Sequence, residues 1–376
     1  MTELLYYKDQ YLKETEAEVV EIREGGVVFD RTIFYPECGG QPGDRGFFGS
    51  HRIRDTRKDK DGTPLHIFDG ELPQVGEKRR LSLDWDHRYF YMKEHSAQHL
   101  LSAILYHSHG IGTVAVHQGE EILTIETDQA NIPLSLLLSV EEEAVREIGR
   151  NRRIEQKDMT REEAESLNMR RTIKVDSEMV KVVFIEGLDA VACGGVHLGH
   201  TGEIGELCFR GSETIRGHQR TIWSVGERAR DYRRGNERAL KEVMRLLSSE
   251  PDNVGKELER ILDERAELKR EIKESRREKV KSSIISHLSQ GEMVFSIEEG
   301  IEEAPEIISP FVSGKTVFLA EEKGKKGFVF FGTKAQFEAI KASVSLKGGG
   351  REPMFRGTLT EATDEAVGKV KEILHK

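Results

Sequence analysis

Residues 227–281 restrict the fold of this chain more than any other segment, because they favour long helices that separate the residues before them from those after. The segment contains 17 lysine or arginine residues and 14 aspartate or glutamate residues, and its apolar residues recur at gaps of three, four or seven. This spacing places the apolar residues on one face of a helix. Residues 248–253, which include Pro251, interrupt the pattern and predict a corner between two helices.

Two polar residues, Arg265 and Ser275, occupy positions that a continuous coiled-coil seam would fill with apolar side chains. We therefore expect a helical hairpin or a short dimeric coil rather than a long rod. The alternative is a pair of solvated helices that pack on a neighbour.

The segments on both sides of these helices predict an α+β protein. Several domains are expected, since 376 residues are more than a single hydrophobic core ordinarily accommodates. Residues 1–85 contain short β-like runs split by Gly, Pro and Asp, which is typical of a small β-rich unit. Residues 86–225 combine a helical pattern with strand-like runs, as α/β units do. Residues 226–290 are expected to form a helical linker that resembles a coiled coil. Residues 291–376 predict a small α/β domain with a Gly-rich turn at 347–351.

Composition limits the surroundings and partners of the chain. No apolar run approaches the roughly 18 residues that a membrane span needs, and the N-terminus lacks the features of a secretory signal, so we expect a cytoplasmic protein with no membrane partner. The three cysteines, Cys38, Cys193 and Cys208, are too few for a disulfide framework and fit a reducing compartment. The net charge of -10 argues against broad, sequence-independent nucleic-acid binding, although a local basic groove remains open.

The strongest chemical signal is a pair of ligand motifs. His95 and His99 lie four residues apart in a predicted helix, which puts both imidazoles on one face. Cys193 and His197 are also four apart, and the two glycines between them permit a tight fold of the backbone. Either motif alone is more often structural than metal-binding. Together they form a His3Cys set, which favours Zn2+.

The surroundings of these motifs resemble a known family. The run HSAQHLLSA followed by CGGVHLGHTGEIG resembles the editing domain of alanyl-tRNA synthetases and of the free-standing alanyl-tRNA editing proteins, the AlaX group. RTIFYPECGGQPGDRG is similar to the Gly-rich motif that precedes the zinc motifs in both. KGGGREPMFRG resembles the signature of the C-terminal domain that follows the editing domain in the synthetases, which is related to the accessory domain of DHH phosphoesterases.

The resemblance implies a long-form editing protein with a β-rich Gly-motif subdomain, an α/β zinc editing subdomain, a helical hairpin linker and a C-terminal domain, and with no aminoacylation domain. The implied reaction is zinc-dependent hydrolysis of the ester between tRNA(Ala) and a wrongly attached amino acid, chiefly serine, with glycine as a second candidate. Because four protein ligands close a zinc shell, either one ligand is loose or zinc only orients the substrate.

The same resemblance implies roles for individual residues. The implied zinc ligands are His95, His99, Cys193 and His197. Thr32 matches the threonine beside the substrate's amino acid, where it would bind the serine hydroxyl that alanine lacks. The implied pocket turn consists of Gly39, Gly40 and Gln41. In AVHQGEEILTIE, His117 and Gln118 are further pocket candidates, with a solvent-facing strand end as the alternative.

The C-terminal half is expected to bind tRNA and to form a homodimer. The implied tRNA contacts are Lys347, Gly348, Gly349, Gly350, Arg351 and Arg356, because cations that bracket a flexible Gly turn can approach a phosphate backbone. Two departures from the family concern Cys38, which stands where Gly or Ser is common, and residues 217–220, which are less basic than in the synthetases. Cys208 is interpreted as a small buried apolar residue.

Three other functions compete with this interpretation. Threonyl-tRNA synthetase editing domains share the HSxxH motif but lack the FYPxxGGQPGD segment. A DHH phosphoesterase would need Asp clusters for two metals, whereas the single Asp-His pair, Asp86 and His87, continues with Arg88. A zinc-stabilised tRNA-binding protein without catalysis is the third.

Overall fold

The structure is a computed structural model that describes residues 2–167, 169–173, 177–324 and 326–375. The predicted α+β class is confirmed. The chain divides into two compact units, Met1–Glu242 and Val243–Lys376. Among the described residues, no helix combines the length and the apolar character that a membrane crossing requires.

A closed antiparallel barrel of six strands occupies the predicted β-rich segment. The strands of this segment are β1 (Glu3–Leu4), β2 (Glu14–Arg23), β3 (Gly26–Phe29), β4 (Arg31–Thr32), β5 (Gly46–Phe48), β6 (His51–Lys58), β7 (Pro64–Phe68) and β8 (Lys78–Leu83). The barrel order is β2-β3-β7-β6-β5-β8, and β1 pairs with β4 in parallel beside it. Apolar side chains such as Val19, Phe29 and Leu81 fill the interior, so the barrel has a core of its own.

The long helix α1 (Trp85–His109) follows the barrel directly and confirms the predicted helix that carries His95 and His99. Asp84 caps its start by accepting a hydrogen bond from the His87 amide, and Gly110, at a φ of +66°, ends it in the left-handed conformation. Leu100 and Ile104 are fully buried in the main core of the first unit. The helix therefore has fixed ends and a buried centre, which holds the side chains along it in place.

Two small sheets and three further helices complete the first unit. These elements are β9 (Thr113–Gln118), β10 (Leu123–Thr127), α2 (Leu134–Gly149), β11 (Ile154–Thr160), α3 (Arg161–Ser166), β12 (Met179–Ile185), β13 (Asp189–Ala192), β14 (Leu207–Ile215), β15 (His218–Val225) and the first part of α4 (Glu227–Leu247). The sheet orders are β14-β15-β10-β9 and β11-β12-β13, all antiparallel.

A buried ion pair joins the segment between β4 and β5 to α1. The Arg88 guanidinium donates to both carboxylate oxygens of Asp44, and the two side chains are 0% and 2% exposed. Arg88 also donates to the carbonyl oxygens of Ile33 at 2.6 Å and Gln10 at 3.0 Å. This arginine therefore ties three segments together inside the protein.

The predicted corner in the charged segment is confirmed. Helix α4 ends at Leu247, a short 3-10 turn spans Pro251–Asn253, and α5 (Val254–Ser289) begins immediately afterwards. Apolar residues of both helices, including Leu246 and Ile272, are exposed. The dimeric coil stays a prediction.

The second unit contains a mixed sheet of five strands between two apolar layers. After α5 its elements are β16 (Val294–Ile297), α6 (Ala304–Ile308), β17 (Val317–Glu321), β18 (Gly327–Phe331), α7 (Lys334–Ser343), β19 (Leu346–Arg351), β20 (Met354–Leu359) and α8 (Thr363–Leu374). The order is β16-β17-β18-β20-β19, with only β16 and β17 parallel. One core lies between the sheet and helices α5 and α6, and the other between the sheet and helices α7 and α8.

The prediction of a Gly-rich turn at residues 347–351 was wrong, because these residues belong to the edge strand β19. The chain reverses at Glu352 and Pro353 instead. A Cβ at Gly348 would lie 2.4 Å from the Arg356 carbonyl oxygen, so the glycines permit β19 and β20 to approach closely. Sequence alone did not separate this use of glycine from a turn.

The predicted domain boundaries near residues 85, 225 and 290 lie at the start of α1, the end of β15 and the end of α5. The division of the chain into two compact units falls within α4, between Glu242 and Val243. A division into four domains therefore stays a prediction.

Candidate metal centre and adjoining cavity

The structure brings the four predicted ligands together. His95 and His99 lie one turn apart on α1, with ring centroids separated by 4.8 Å, and the loop after β13 supplies Cys193 and His197. The Cys193 Sγ atom lies 3.3 Å from His95 Nε2 and 3.5 Å from His197 Nε2. All four ligand atoms lie within 4.8 Å of one another. Atoms at these separations can bind a single metal ion.

The residues of this cluster fit a metal ion. His99 Nε2 is buried and has no hydrogen-bond partner among the described residues. A buried polar nitrogen without a partner is costly, and a bound cation would satisfy it. The donor set of three imidazoles and one thiol is the set that zinc accepts in proteins.

Burial keeps the cluster neutral in the absence of a cation. It lowers the pKa of His95 to about 3 and holds the pKa values of His99 and His197 well below their ordinary value. The same burial raises the pKa of the Cys193 thiol to about 11. At neutral pH each imidazole is therefore neutral and keeps one unprotonated nitrogen that can bind a metal, whereas Cys193 must release a proton to do so.

Gln41 supports both halves of the cluster. Its Oε1 atom accepts hydrogen bonds from the Val196 amide at 3.2 Å and from His95 Nδ1 at 2.8 Å. Because the amide can only donate, Gln41 Oε1 is the acceptor in both bonds, and the proton of His95 lies on Nδ1. The lone pair on His95 Nε2 is then directed at the cluster.

A glycine brings the loop onto the helix. A Cβ at Gly195 would lie 2.1 Å from His95 Cε1, which is too close for any other residue without a shift of the loop. This contact explains the second glycine of the CGGVH motif.

A pair of glutamines, which the sequence analysis missed, holds the loop from the other side. Gln156 donates to the carbonyl oxygens of Cys193 at 2.8 Å and Gly195 at 3.1 Å, and it accepts a hydrogen bond from Gln10 at 3.0 Å. Gln10 in turn accepts a hydrogen bond from the His197 amide. Neither glutamine lies in a recognisable motif, so only the tertiary structure identifies them.

A cavity of about 510 Å³ adjoins the cluster. His95, His99 and Cys193 form one side, and apolar residues such as Val116 and Val191 form part of the wall. Its volume lies within the range of ordinary small-ligand sites.

The predicted pocket residues lie at different depths around this cavity. Gly39 lines it, and so does Cys38, whose Sγ accepts a hydrogen bond from Lys58 Nζ at 3.4 Å. Gln41 does not line the cavity and instead hydrogen-bonds to His95 and to the Val196 amide. Gly40 packs on β9, where a Cβ would lie 3.2 Å from the Val116 carbonyl oxygen. The Gly-rich segment therefore supports both the cluster and the cavity.

Besides Gly40 and Gln41, three more predicted pocket residues do not line this cavity. Thr32 is fully buried, and its hydroxyl lies 2.7 Å from His66 Nε2 while it accepts a hydrogen bond from the Phe34 amide. The hydroxyl is therefore hydrogen-bonded within the protein, and its expected contact with a substrate stays a prediction. His117 is exposed at the end of β9, and Gln118 is buried next to it.

The role of Gln41 can be tested by substitution. We expect Gln41→Leu to weaken metal binding by about 10-fold to 100-fold, because His95 loses the bond that fixes its proton. Gln41→Glu keeps an acceptor oxygen and is expected to retain more affinity. The measurement is competition with a chelator, and Gln74→Leu in an exposed loop is the control. Equal metal affinity in Gln41→Leu and wild type would show that Gln41 does not support the metal site.

Comparisons with known proteins agree with the motifs. The sequence model for class II (A) tRNA synthetases matches residues 4–87. An alanine–tRNA ligase from Thermococcus kodakarensis is 29% identical over 414 residues, which cover 99% of this chain and 44% of the ligase. One from Archaeoglobus fulgidus is 33% identical over 287 residues, or 72% of this chain and 31% of the ligase. The alanyl-tRNA editing protein AlaX-L from Pyrococcus horikoshii is 35% identical over 224 residues, or 54% of this chain and 53% of that protein. The chain thus spans about half or less of these relatives.

Proposed function

Because the chain is related to alanine–tRNA ligases over almost its whole length and to an alanyl-tRNA editing protein over about half of it, we propose that it edits mischarged tRNA(Ala). The reaction is hydrolysis of the ester between the tRNA and the wrong amino acid, chiefly serine, with glycine second. The observation that carries this proposal is the cluster of three histidines and Cys193 beside a cavity of small-ligand size.

Zinc is the proposed cofactor, held by His95, His99, Cys193 and His197. When bound there it would supply Lewis acidity or orient the substrate. Gln41 holds the His95 side chain in place through its Nδ1 proton, and Gln156 holds the backbone of the ligand loop. With the ligands fixed in this way, an ester that enters the cavity would meet one arrangement of the cluster, and positioning of this kind is a large part of catalysis.

Serine selectivity requires a polar partner for the serine hydroxyl, because a site that binds a hydroxyl rejects a substrate without one. The family resemblance proposes the Thr32 hydroxyl for this contact, and polar groups that line the cavity are further candidates. These candidates are Gln98, which lies on α1, and Cys38, which lies in the Gly-rich segment.

The second unit is proposed to bind tRNA. Lys347, Arg351 and Arg356 are exposed, and the pairing of Gly349 with Arg356 puts all three cations on one face of the β19–β20 hairpin. Such a row can contact a phosphate backbone without reading sequence. Dimerisation through the exposed apolar residues of α4 and α5 is part of the same proposal.

A zinc-stabilised tRNA-binding protein without catalysis is the second candidate. Four protein ligands around one ion are typical of structural zinc sites, which favours this alternative.

A deacylation assay separates the candidates. We expect release of serine from seryl-tRNA(Ala) to be at least about 100-fold faster than release of alanine from alanyl-tRNA(Ala). The assay follows the labelled amino acid and includes seryl-tRNA(Thr) to test threonyl-type editing. Binding of tRNA without release of either amino acid would favour the binding protein, and equal rates for serine and alanine would refute the selectivity.

A further inference from the structure

The cavity beside the cluster is lined by several basic side chains. Four basic side chains line it, namely Lys58, Arg170, Arg171 and Lys181. None of the described residues in its lining is an aspartate or a glutamate. The charge of the lining therefore favours an anionic ligand.

Two of these cations are already neutralised. Arg170 forms an ion pair of 2.8 Å with Asp189, and both side chains are 2% exposed. Lys181 forms an ion pair of 2.8 Å with Asp158 and lies over the Tyr7 ring. Neither has its full charge available for a ligand.

Arg171 and Lys58 are different. In residues 2–167, 169–173, 177–324 and 326–375, no hydrogen bond or ion pair joins Arg171 to another side chain, and Lys58 contacts only the Cys38 thiol. Arg171 is half-buried, and both burial and the neighbouring Arg170 charge lower its pKa. An arginine nevertheless stays charged, so Arg171 is a partly dehydrated cation that has no counter-charge among the described residues.

The two residues reach the cavity from separate elements. Lys58 is the last residue of barrel strand β6, whereas Arg171 follows α3 in the first unit. Both side chains therefore line the same cavity from different parts of the chain.

We propose that Arg171, together with Lys58, forms a phosphate subsite for the phosphodiester that precedes the ester-bearing terminal nucleotide. This inference rests on the proposed function. The ester itself carries no negative charge, so the phosphodiester is the anionic group nearest to the reacting bond. A guanidinium binds two phosphate oxygens in a planar arrangement, and a lysine adds a point charge.

The test compares two esters that differ by one phosphodiester. Seryl-adenosine carries none, and the seryl ester of the dinucleotide CpA carries one. We expect Arg171→Ala to lower kcat/KM for the CpA ester, mainly through KM, by at least about 10-fold more than for seryl-adenosine. Arg171→Lys should restore part of the loss. Arg54→Ala, an exposed arginine on β6 outside the cavity lining, is the control and should lower neither.

The subsite can also be tested by binding alone, with ligands that carry no ester. The affinities of unesterified CpA and of adenosine are compared by calorimetry, and Arg171→Ala should weaken only that of CpA. Equal losses for both ligands, or no loss for either, would overturn the subsite. If wild-type protein binds CpA through Arg171 but hydrolyses neither ester, the proposed function fails while the subsite stands.

Discussion

The Cys193→Ala variant is expected to lose almost all bound zinc during purification with a mild chelator. Cys193 supplies the only thiol of the cluster, and its sulfur lies 3.3 Å from His95 Nε2 and 3.5 Å from His197 Nε2. Without it, three neutral imidazoles must hold the ion alone. Changes to supporting residues of metal sites already cost about 10-fold to 100-fold in affinity, so loss of the thiolate should cost at least about 100-fold.

Elemental analysis of wild type and variant gives the measurement, and loading with cobalt provides a second one, because a cobalt–thiolate absorption band requires the sulfur as a ligand. Cys208→Ala is the matched control, since Cys208 is buried in β14 away from the cluster. Wild type and Cys208→Ala should each hold about one zinc per chain. Full zinc content in Cys193→Ala would show that the ligands lie elsewhere.

The Arg88→Met variant is expected to lower the free energy of unfolding of the first unit by about 3–5 kcal/mol. Methionine keeps much of the side-chain volume but leaves the buried Asp44 carboxylate without its counter-charge. It also removes the hydrogen bonds to the Ile33 and Gln10 carbonyl oxygens. The cost comes chiefly from the isolated charge, since a carboxylate in the interior cannot be solvated.

Tryptophan fluorescence during urea unfolding reports this change, because both tryptophans, Trp85 and Trp223, lie in the first unit. Arg146→Met is the control. Arg146 forms an exposed pair with Glu142 on α2, and loss of such a pair costs less than about 1 kcal/mol. A similar small loss in Arg88→Met would mean that Asp44 finds another partner or takes up a proton.

The sequence by itself determined the features that depend on residues close together in the chain. The four-residue spacing of His95 and His99 places both side chains on one face of the helix. The residues that cap this helix, Asp84 and Gly110, directly flank it in the sequence. The corner at Pro251 is local in the same sense. The spacing in CGGVH also predicted that Cys193 and His197 would approach one point, which the structure places beside the helical pair.

Only the tertiary structure decided which distant residues meet. Thr32 lies in the sequence next to the Gly-rich segment, but its hydroxyl is bonded to His66, and the glycines at 348–350 form a strand because β20 pairs with them. The support of the ligand loop by Gln10 and Gln156 and the free charge of Arg171 depend on segments far apart in the chain. Spacing and periodicity describe contacts within a few residues, whereas these contacts arise from packing, which has no local signature in the sequence.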